Sequence, residues 1–216
     1  MSHRQETIRA AEELVKAHMA RYDPSHDWHH VNRVRNTAIR IASSLDPRPD
    51  LLVVELAALF HDLTDSKYDP NLPLEEVLLT FLKNPSTEFT LSASQLGLVL
   101  MIVPNVSWSK ETKLRAADLW KGWYETCVEL HCVQDADRLD AIGAIGLLRC
   151  AAYSGAKGVR LLYEGGHEGR RDDSAEGHFE EKLLKVRDRM KTIPGRDEAE
   201  SRHTTVRAFE KSPIMC

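Results

Sequence analysis

Glu55-Leu56-Ala57-Ala58-Leu59-Phe60-His61-Asp62 closes a stretch that is nearly free of polar residues from Leu51 onward, so an imidazole and a carboxylate stand side by side at its end. A helix that is apolar on all faces belongs in a core. A core helix ending in His-Asp must find partners for both groups, because burying them unpaired is expensive. Adjacent helical residues point about 100° apart, so His61 and Asp62 can reach one ion only at the flank of their helix. Any further ligands must come from other helices.

Periodicity supplies those helices. From Glu6 to Tyr22, residues Ile8, Ala11, Leu14, Val15 and Met19 follow the three-and-four spacing of a helix with one buried stripe, ended by Asp23-Pro24-Ser25. A second helix is expected from about Asp27 to Leu45, before Pro47 and Pro49. The Leu51 to His61 core helix follows. Pro73, at a first-turn position with Glu75 and Glu76 behind it, opens a fourth helix reaching about Leu82. Ser92 to Val103 reads as another, ended by Pro104, and Lys110 to Trp123 has helical composition with a mixed pattern.

The stretch from about Thr126 to Tyr153 reads as the longest helix, with Val133, Ala141, Ile145 and Leu148 on one side. Tyr163 to Gly177, rich in glycine and charge, is expected to be a mobile surface loop. Helices at about His178 to Thr192 and Arg196 to Lys211 complete an all-α chain, with no internal repeat and no strand-like alternation. At 216 residues one domain is the expectation, with a core spanning about residues 6–153, the C-terminal helices packed on it, and roughly 70% of the unfolded surface buried.

Composition narrows the function. Hydrophobic residues make up 42% and charged residues 29%, as in ordinary globular proteins, and no apolar run reaches the 18 or so residues of a membrane span. The net charge of -4 and pI near 6.2 argue against nucleic-acid binding through a basic surface. Cys127, Cys132, Cys150 and Cys216 form no CxxC pair and read as reduced thiols, three of them in one helical region. The first residues, Met1-Ser2-His3-Arg4-Gln5, lead straight into an amphipathic pattern without an apolar signal segment. The expected compartment is the cytoplasm, with the nucleus also compatible.

Two further segments carry chemistry. His30 lies in His30-Val31-Asn32-Arg33-Val34, where the imidazole faces inward with Val34. Asp137 lies in Asp135-Ala136-Asp137-Arg138-Leu139-Asp140, three acids within six residues of an otherwise apolar helix, a charge density that calls for a cation. With His61 and Asp62, these give two imidazoles and two carboxylates on three separate segments. Asp135 and Asp140 read as groups that position helices or ligands, leaving coordination room for substrate. His26 is balanced between supporting the site and capping a helix, with Asp27 a plausible cap. His29 is expected to be exposed.

The pattern His26-Asp27-x-x-His30-x-x-Arg33-Val34, then His61-Asp62, then Asp137 resembles the HD-domain metal-dependent phosphohydrolases. Glu55 to Asp62, Gln134 to Gly146 and His178-Phe179-Glu180-Glu181-Lys182-Leu183-Leu184 resemble the branch that includes bacterial nucleoside-triphosphate pyrophosphohydrolases. The resemblance implies an all-helical bundle holding one divalent ion on His30, His61, Asp62 and Asp137. Manganese is the favoured ion, while magnesium, nickel, cobalt, iron and zinc suit the same donors. His131, six residues before Asp137, is poorly placed for a second ion, so the site is expected to be mononuclear. Relatives tend to carry His before a Ser-Phe element where this chain reads Pro104-Asn105-Val106-Ser107-Trp108, which speaks against a second-metal or substrate role for that loop.

An open metal site of this kind activates water and polarises a phosphate together. Asp65, three residues after Asp62, shares its helix face, and relatives place a carboxylate at that offset, which assigns it to orient or deprotonate the attacking water. Lys67 and Arg33 are candidates to neutralise developing phosphate charge. Tyr153, His178, Lys182 and Arg138 are candidates for contacts to a nucleotide or its phosphate tail. The expected activity is hydrolysis of nucleoside or deoxynucleoside triphosphates to monophosphate and pyrophosphate. The alternatives are a monophosphate 5'-nucleotidase, and a non-catalytic nucleotide or metal sensor.

Overall fold

The computed structural model describes residues 3–63, 76–78, 81, 91–162 and 174–211. Among these, every regular element is helical, apart from one isolated bridge between Arg160 and Ser174. The helices are α1 (His3–Met19), α2 (Trp28–Ser43), α3 (Leu51–Phe60), α4 (Ala93–Ile102), α5 (Trp108–Ala116), α6 (Trp123–Thr126), α7 (Val128–Asp140), α8 (Gly143–Lys157), α9 (Ala175–Glu181) and α10 (Ile193–Glu210). Short 3-10 turns follow α4 and α9. No helix is long and apolar enough to cross a membrane among the described residues.

The centre is a three-helix layer in which α2 and α7 pack against each other and both pack on α3. Leu52 to Phe60 are all buried, so α3 is the core helix its composition requires, and each of its large apolar side chains contributes roughly 1.5–3 kcal/mol by leaving water. Helix α2 turns His30, Val31, Val34, Ala38, Ile41 and Ala42 inward. Its start is set by Asp27, whose carboxylate accepts a hydrogen bond from the His30 backbone N–H at 2.9 Å. The cap is therefore Asp27, which fixes the turn carrying His30. Asp50 caps α3 in the same way.

The expected long helix from Thr126 to Tyr153 is two helices. It breaks at Ala141-Ile142, where α7 ends and Gly143 begins α8 with φ of +75°. That backbone region disfavours any side chain, so periodicity continued across a point that the glycine bends. The break also changes which faces are covered: Ile145 and Leu148 are 41% and 67% exposed, not part of a buried stripe with Val133. Helix α1 ends at Met19, three residues before the expected Tyr22. The expected Lys110 to Trp123 helix is instead α5, a turn and the short α6.

At the C-terminal side, Ser174 caps α9 through Gly177 N–H at 3.0 Å, so helical structure begins at Ala175 inside the segment expected to be loop. The rest of that loop lies outside the described residues. So do Asp65, Lys67 and Cys216, and the expected Pro73 to Leu82 helix except for residues 76–78 and 81, which are helical.

Helix α10 is tethered to α7 by Asp135. Its carboxylate accepts hydrogen bonds from Lys191 N, Thr192 N and Thr192 Oγ1 at 2.7–3.1 Å. Thr192 in turn caps α10 through Gly195 N–H. Asp135 is thus a helix-positioning carboxylate, and one of the three acids in the Asp135 to Asp140 segment is accounted for without a cation.

Candidate metal centre and its cavity

Two imidazoles meet where α2, α3 and α7 converge. His30 is 1% and His61 7% exposed, and their Nε2 atoms face each other at 3.3 Å. Asp62, one residue past His61, brings Oδ2 within 3.2 Å of His30 Nε2 and Oδ1 within 3.4 Å of His61 Nε2. Ligand atoms of His30, His61 and Asp62 all lie within 4.8 Å of one another. From α7, Asp137 places Oδ1 at 3.7 Å and 3.8 Å from the two Nε2 atoms. The structure therefore brings together the four residues that the sequence pattern singled out.

The other ring nitrogens show what this cluster fits. His30 Nδ1 is 2.7 Å from Asp140 Oδ2, and His61 Nδ1 is 2.8 Å from the Ala58 carbonyl oxygen. A carboxylate and a carbonyl can only accept, so both rings carry their proton on Nδ1. In the neutral rings both Nε2 lone pairs then point at the same spot, beside two carboxylates. Asp62 Oδ2 is buried and makes no hydrogen bond. Converging electron pairs and an orphaned carboxylate oxygen are what a divalent cation would satisfy. The residues fit such an ion.

The carboxylates and the His30 ring also perturb one another's protonation. Burial alone lowers the His30 pKa, as does Arg149, but the Asp140 and Asp62 carboxylates outweigh them and raise it. Burial alone raises the Asp62 pKa, and His61 and His30 hold it well below the usual carboxylate range. Asp140 is likewise held low against burial by His30, Arg33 and Arg149.

Arg33 was expected to face phosphate, but its fork closes on Asp140, with Nε at 2.8 Å and Nη2 at 3.0 Å from the two carboxylate oxygens. It borders a smaller cavity on the other side of Asp140, with Asn36, Thr37 and Arg202. The planar guanidinium matches the carboxylate two-fold, so Arg33 steadies the residue that steadies His30. Arg138, expected at the substrate, is 2% exposed. It forms an ion pair with the buried Glu111 and donates to the Arg189 carbonyl oxygen, sharing that carboxylate with Arg115 and Lys191. His131 directs Nε2 to the Tyr124 carbonyl oxygen at 2.8 Å, away from the ligands. His29 is exposed.

The cluster opens into a cavity of about 610 Å3 that His61, Asp62 and Asp137 border. All four of the expected substrate residues, Tyr153, His178, Lys182 and Arg138, line it. So does His26, whose ring centroid lies 5.9 Å from that of His30 and 6.2 Å from that of Tyr153. Burial pushes the His26 pKa down to about 4.

Two sets of lining residues escaped the sequence reading. Arg149, from α8, donates to the Ser25 carbonyl oxygen at 2.7 Å and lies 3.2 Å from Asp140 Oδ2. It is the one cation between Gly143 and Tyr153, and that was the available signal. The segment from Val103 to Lys113, with Ser107, Trp108, Lys110 and Lys113, forms another wall. Pro104, Val106, Ser107 and Trp108 of the segment where the sequence pattern departs thus border the same cavity as His61, Asp62 and Asp137.

An all-helical fold with a His-His-Asp cluster at the meeting of its central helices, opening into a cavity, defines a metal-binding domain of HD type. Comparison with known proteins agrees, although no protein-family model matches the chain. YpgQ of Bacillus subtilis strain 168 is 36% identical over 184 residues, spanning 85% of this chain and 80% of YpgQ. The structure of Bacillus subtilis YpgQ in complex with ADP superposes with a TM-score of 0.74 at 30% identity, covering 99% of this chain and 98% of that one. An HD-superfamily hydrolase from Bacillus thuringiensis superposes with a TM-score of 0.68 at 34% identity, covering 95% and 94%. The chain belongs to the HD-domain hydrolase superfamily.

Proposed function

We propose that the protein is a divalent-metal-dependent phosphohydrolase that cleaves nucleoside or deoxynucleoside triphosphates to monophosphate and pyrophosphate, with manganese as the favoured ion and residues 1–216 acting as one HD-type domain. The observation that carries this reading is the opening of the His30, His61, Asp62 and Asp137 cluster into a cavity whose other walls hold Lys110, Lys113, Arg149 and Lys182. Ligands at one end and cations around the rest suit an anion larger than orthophosphate. YpgQ, which forms a complex with ADP, adds support for a nucleotide.

A divalent ion, when bound, supplies Lewis acidity toward phosphate and acidifies water at neutral pH. The chain does the rest. Asp140 keeps the His30 proton on Nδ1 and aims Nε2 at the ion, and Arg33 and Arg149 hold Asp140 in place. By its offset from Asp62, Asp65 orients or deprotonates the attacking water. Lys67 meets developing phosphate charge. Tyr153, His178 and Lys182 contact the nucleotide.

Incubation of the protein with each triphosphate and manganese, with assay of pyrophosphate, tests the reaction. Absence of turnover with every nucleotide sinks it, and orthophosphate from monophosphates without pyrophosphate from triphosphates favours a nucleotidase instead. Asp65→Ala separates enzyme from sensor: the enzyme loses turnover and retains its metal, whereas a sensor retains ligand binding and has no turnover to lose.

A further inference from the structure

Helix α5 turns two lysines into the cavity, Lys110 and Lys113, three residues apart and so on one face. Their neighbours are differently placed. Arg115 is paired with Glu111 at 2.6 Å, and Arg138 and Lys191 are tied to the same buried carboxylate. Among the described residues, neither Lys110 nor Lys113 is neutralised by a carboxylate. Lys110 is half-buried, and that burial lowers its pKa. Across the cavity, Arg149 is matched by Asp140. The α5 wall therefore carries positive charge beyond what the described residues balance, in a cavity that also contains the two ligand carboxylates Asp62 and Asp137.

We propose that Lys110 and Lys113 hold the phosphates of the substrate beyond the one attacked at the metal, so that this wall distinguishes a nucleoside triphosphate from a monophosphate. Lysine suits the task as a flexible point charge that follows a phosphate chain without fixing one geometry. The inference rests on the nucleotide reading above. It assigns a role to the lysines of α5 and names the feature of the substrate that they read. The nucleoside would then lie elsewhere in the cavity, toward the wall of Tyr153 and His178.

The test is calorimetric titration of the full-length protein, with manganese present, using the α,β-methylene analogue of ATP and, separately, AMP. The analogue cannot be cleaved between its α and β phosphorus atoms, so the titration reads binding without turnover. The unmodified protein is expected to favour the analogue by about tenfold or more, the scale of a charge-assisted contact. Lys110→Met/Lys113→Met is expected to lose most of that preference while AMP affinity moves far less. The salt dependence of analogue binding is expected to weaken with it. Both positions are accessible to solvent, so the variant is expected to melt within a few degrees of the parent, and Lys110→Gln/Lys113→Gln provides a second, more polar check.

Equal affinity of the unmodified protein for analogue and AMP, binding of neither, or a variant that weakens both alike or leaves their ratio unchanged would each overturn the assignment. Pyrophosphate release by the unmodified protein decides the reaction separately, so failure of that reading is distinguishable from failure of this one.

Discussion

Asp140 and His30 are 110 residues apart in sequence and 2.7 Å apart in space, Oδ2 to Nδ1, with Arg33 and Arg149 closing on the same carboxylate. The contact fixes which ring nitrogen of His30 carries the proton, and so which one presents a lone pair to the cluster. A group that never touches an ion thereby decides whether His30 can bind one.

Asp140→Asn keeps the shape of the side chain and removes the charge that two arginines and an imidazole share. Metal affinity is expected to fall about 10- to 100-fold, the usual cost of removing a group that orients a ligand. Chelator competition with manganese measures it, and an unchanged affinity would show that His30 is held by packing alone.

Asp137 is 26% exposed at its side chain and borders the cavity, so replacing it costs little packing. Asp137→Ala is expected to abolish metal-dependent turnover while shifting the melting temperature of the metal-free protein by no more than a few degrees, consistent with a substitution outside the core. Retained turnover at saturating manganese would remove Asp137 from the ligand set.

Glu111 has no exposed side-chain surface and lies among Arg138, Lys191 and Arg115. Burial alone would raise its pKa, but these cations lower it from 4.5 to about 2. A carboxyl whose folded pKa is depressed gives stability that is present above the ordinary value and lost as pH falls through the folded one. Unfolding free energy is therefore expected to drop by roughly 2–3 kcal/mol from this group between pH 4.5 and 2. Lys191 acts in the opposite sense: burial and Arg138 push it down to about 7, so its contribution improves as pH rises above that value. Urea midpoints across pH for the parent and Glu111→Gln check the acid limb. The variant is expected to be less stable at neutral pH and to lack that part of the acid slope.

Gly195 lies where a Cβ would sit 2.4 Å from Asp135 Oδ2 and 2.7 Å from Thr192 Oγ1. Gly195→Ala is expected to break the tether between α7 and α10 and to cost about 1–3 kcal/mol, read as a lower melting temperature. A melting temperature equal to the parent's would mean that the Asp135 carboxylate shifts without cost.

Much of this was legible in the chain because it is local. The apolar run ending in His61-Asp62 specifies a buried helix with a polar end, and the three-and-four spacing of Val31, Val34, Ala38 and Ile41 specifies the buried face that includes His30. What failed were inferences about direction over longer distances. Periodicity ran through Ala141-Ile142 because Gly143 leaves no trace in an apolar pattern, yet its positive φ redirects α8 and exposes Ile145 and Leu148. Arg33 is a charged residue in the right segment, but it found a nearer carboxylate, Asp140, contributed from far along the chain.

The sequence by itself determined an all-helical chain and its polar side chains on core helices, because helix periodicity and the cost of burying unpaired charge act over a few residues. Only the tertiary structure decided which of those groups meet. The packing of α2 and α7 on α3 brings the two imidazole Nε2 atoms to within 3.3 Å of each other and commits Arg33 to Asp140 rather than to the cavity, while α5 sets Lys110 and Lys113 on the cavity wall. Contacts between residues a hundred positions apart depend on helix directions and on competition among partners, and neither is written in any one segment.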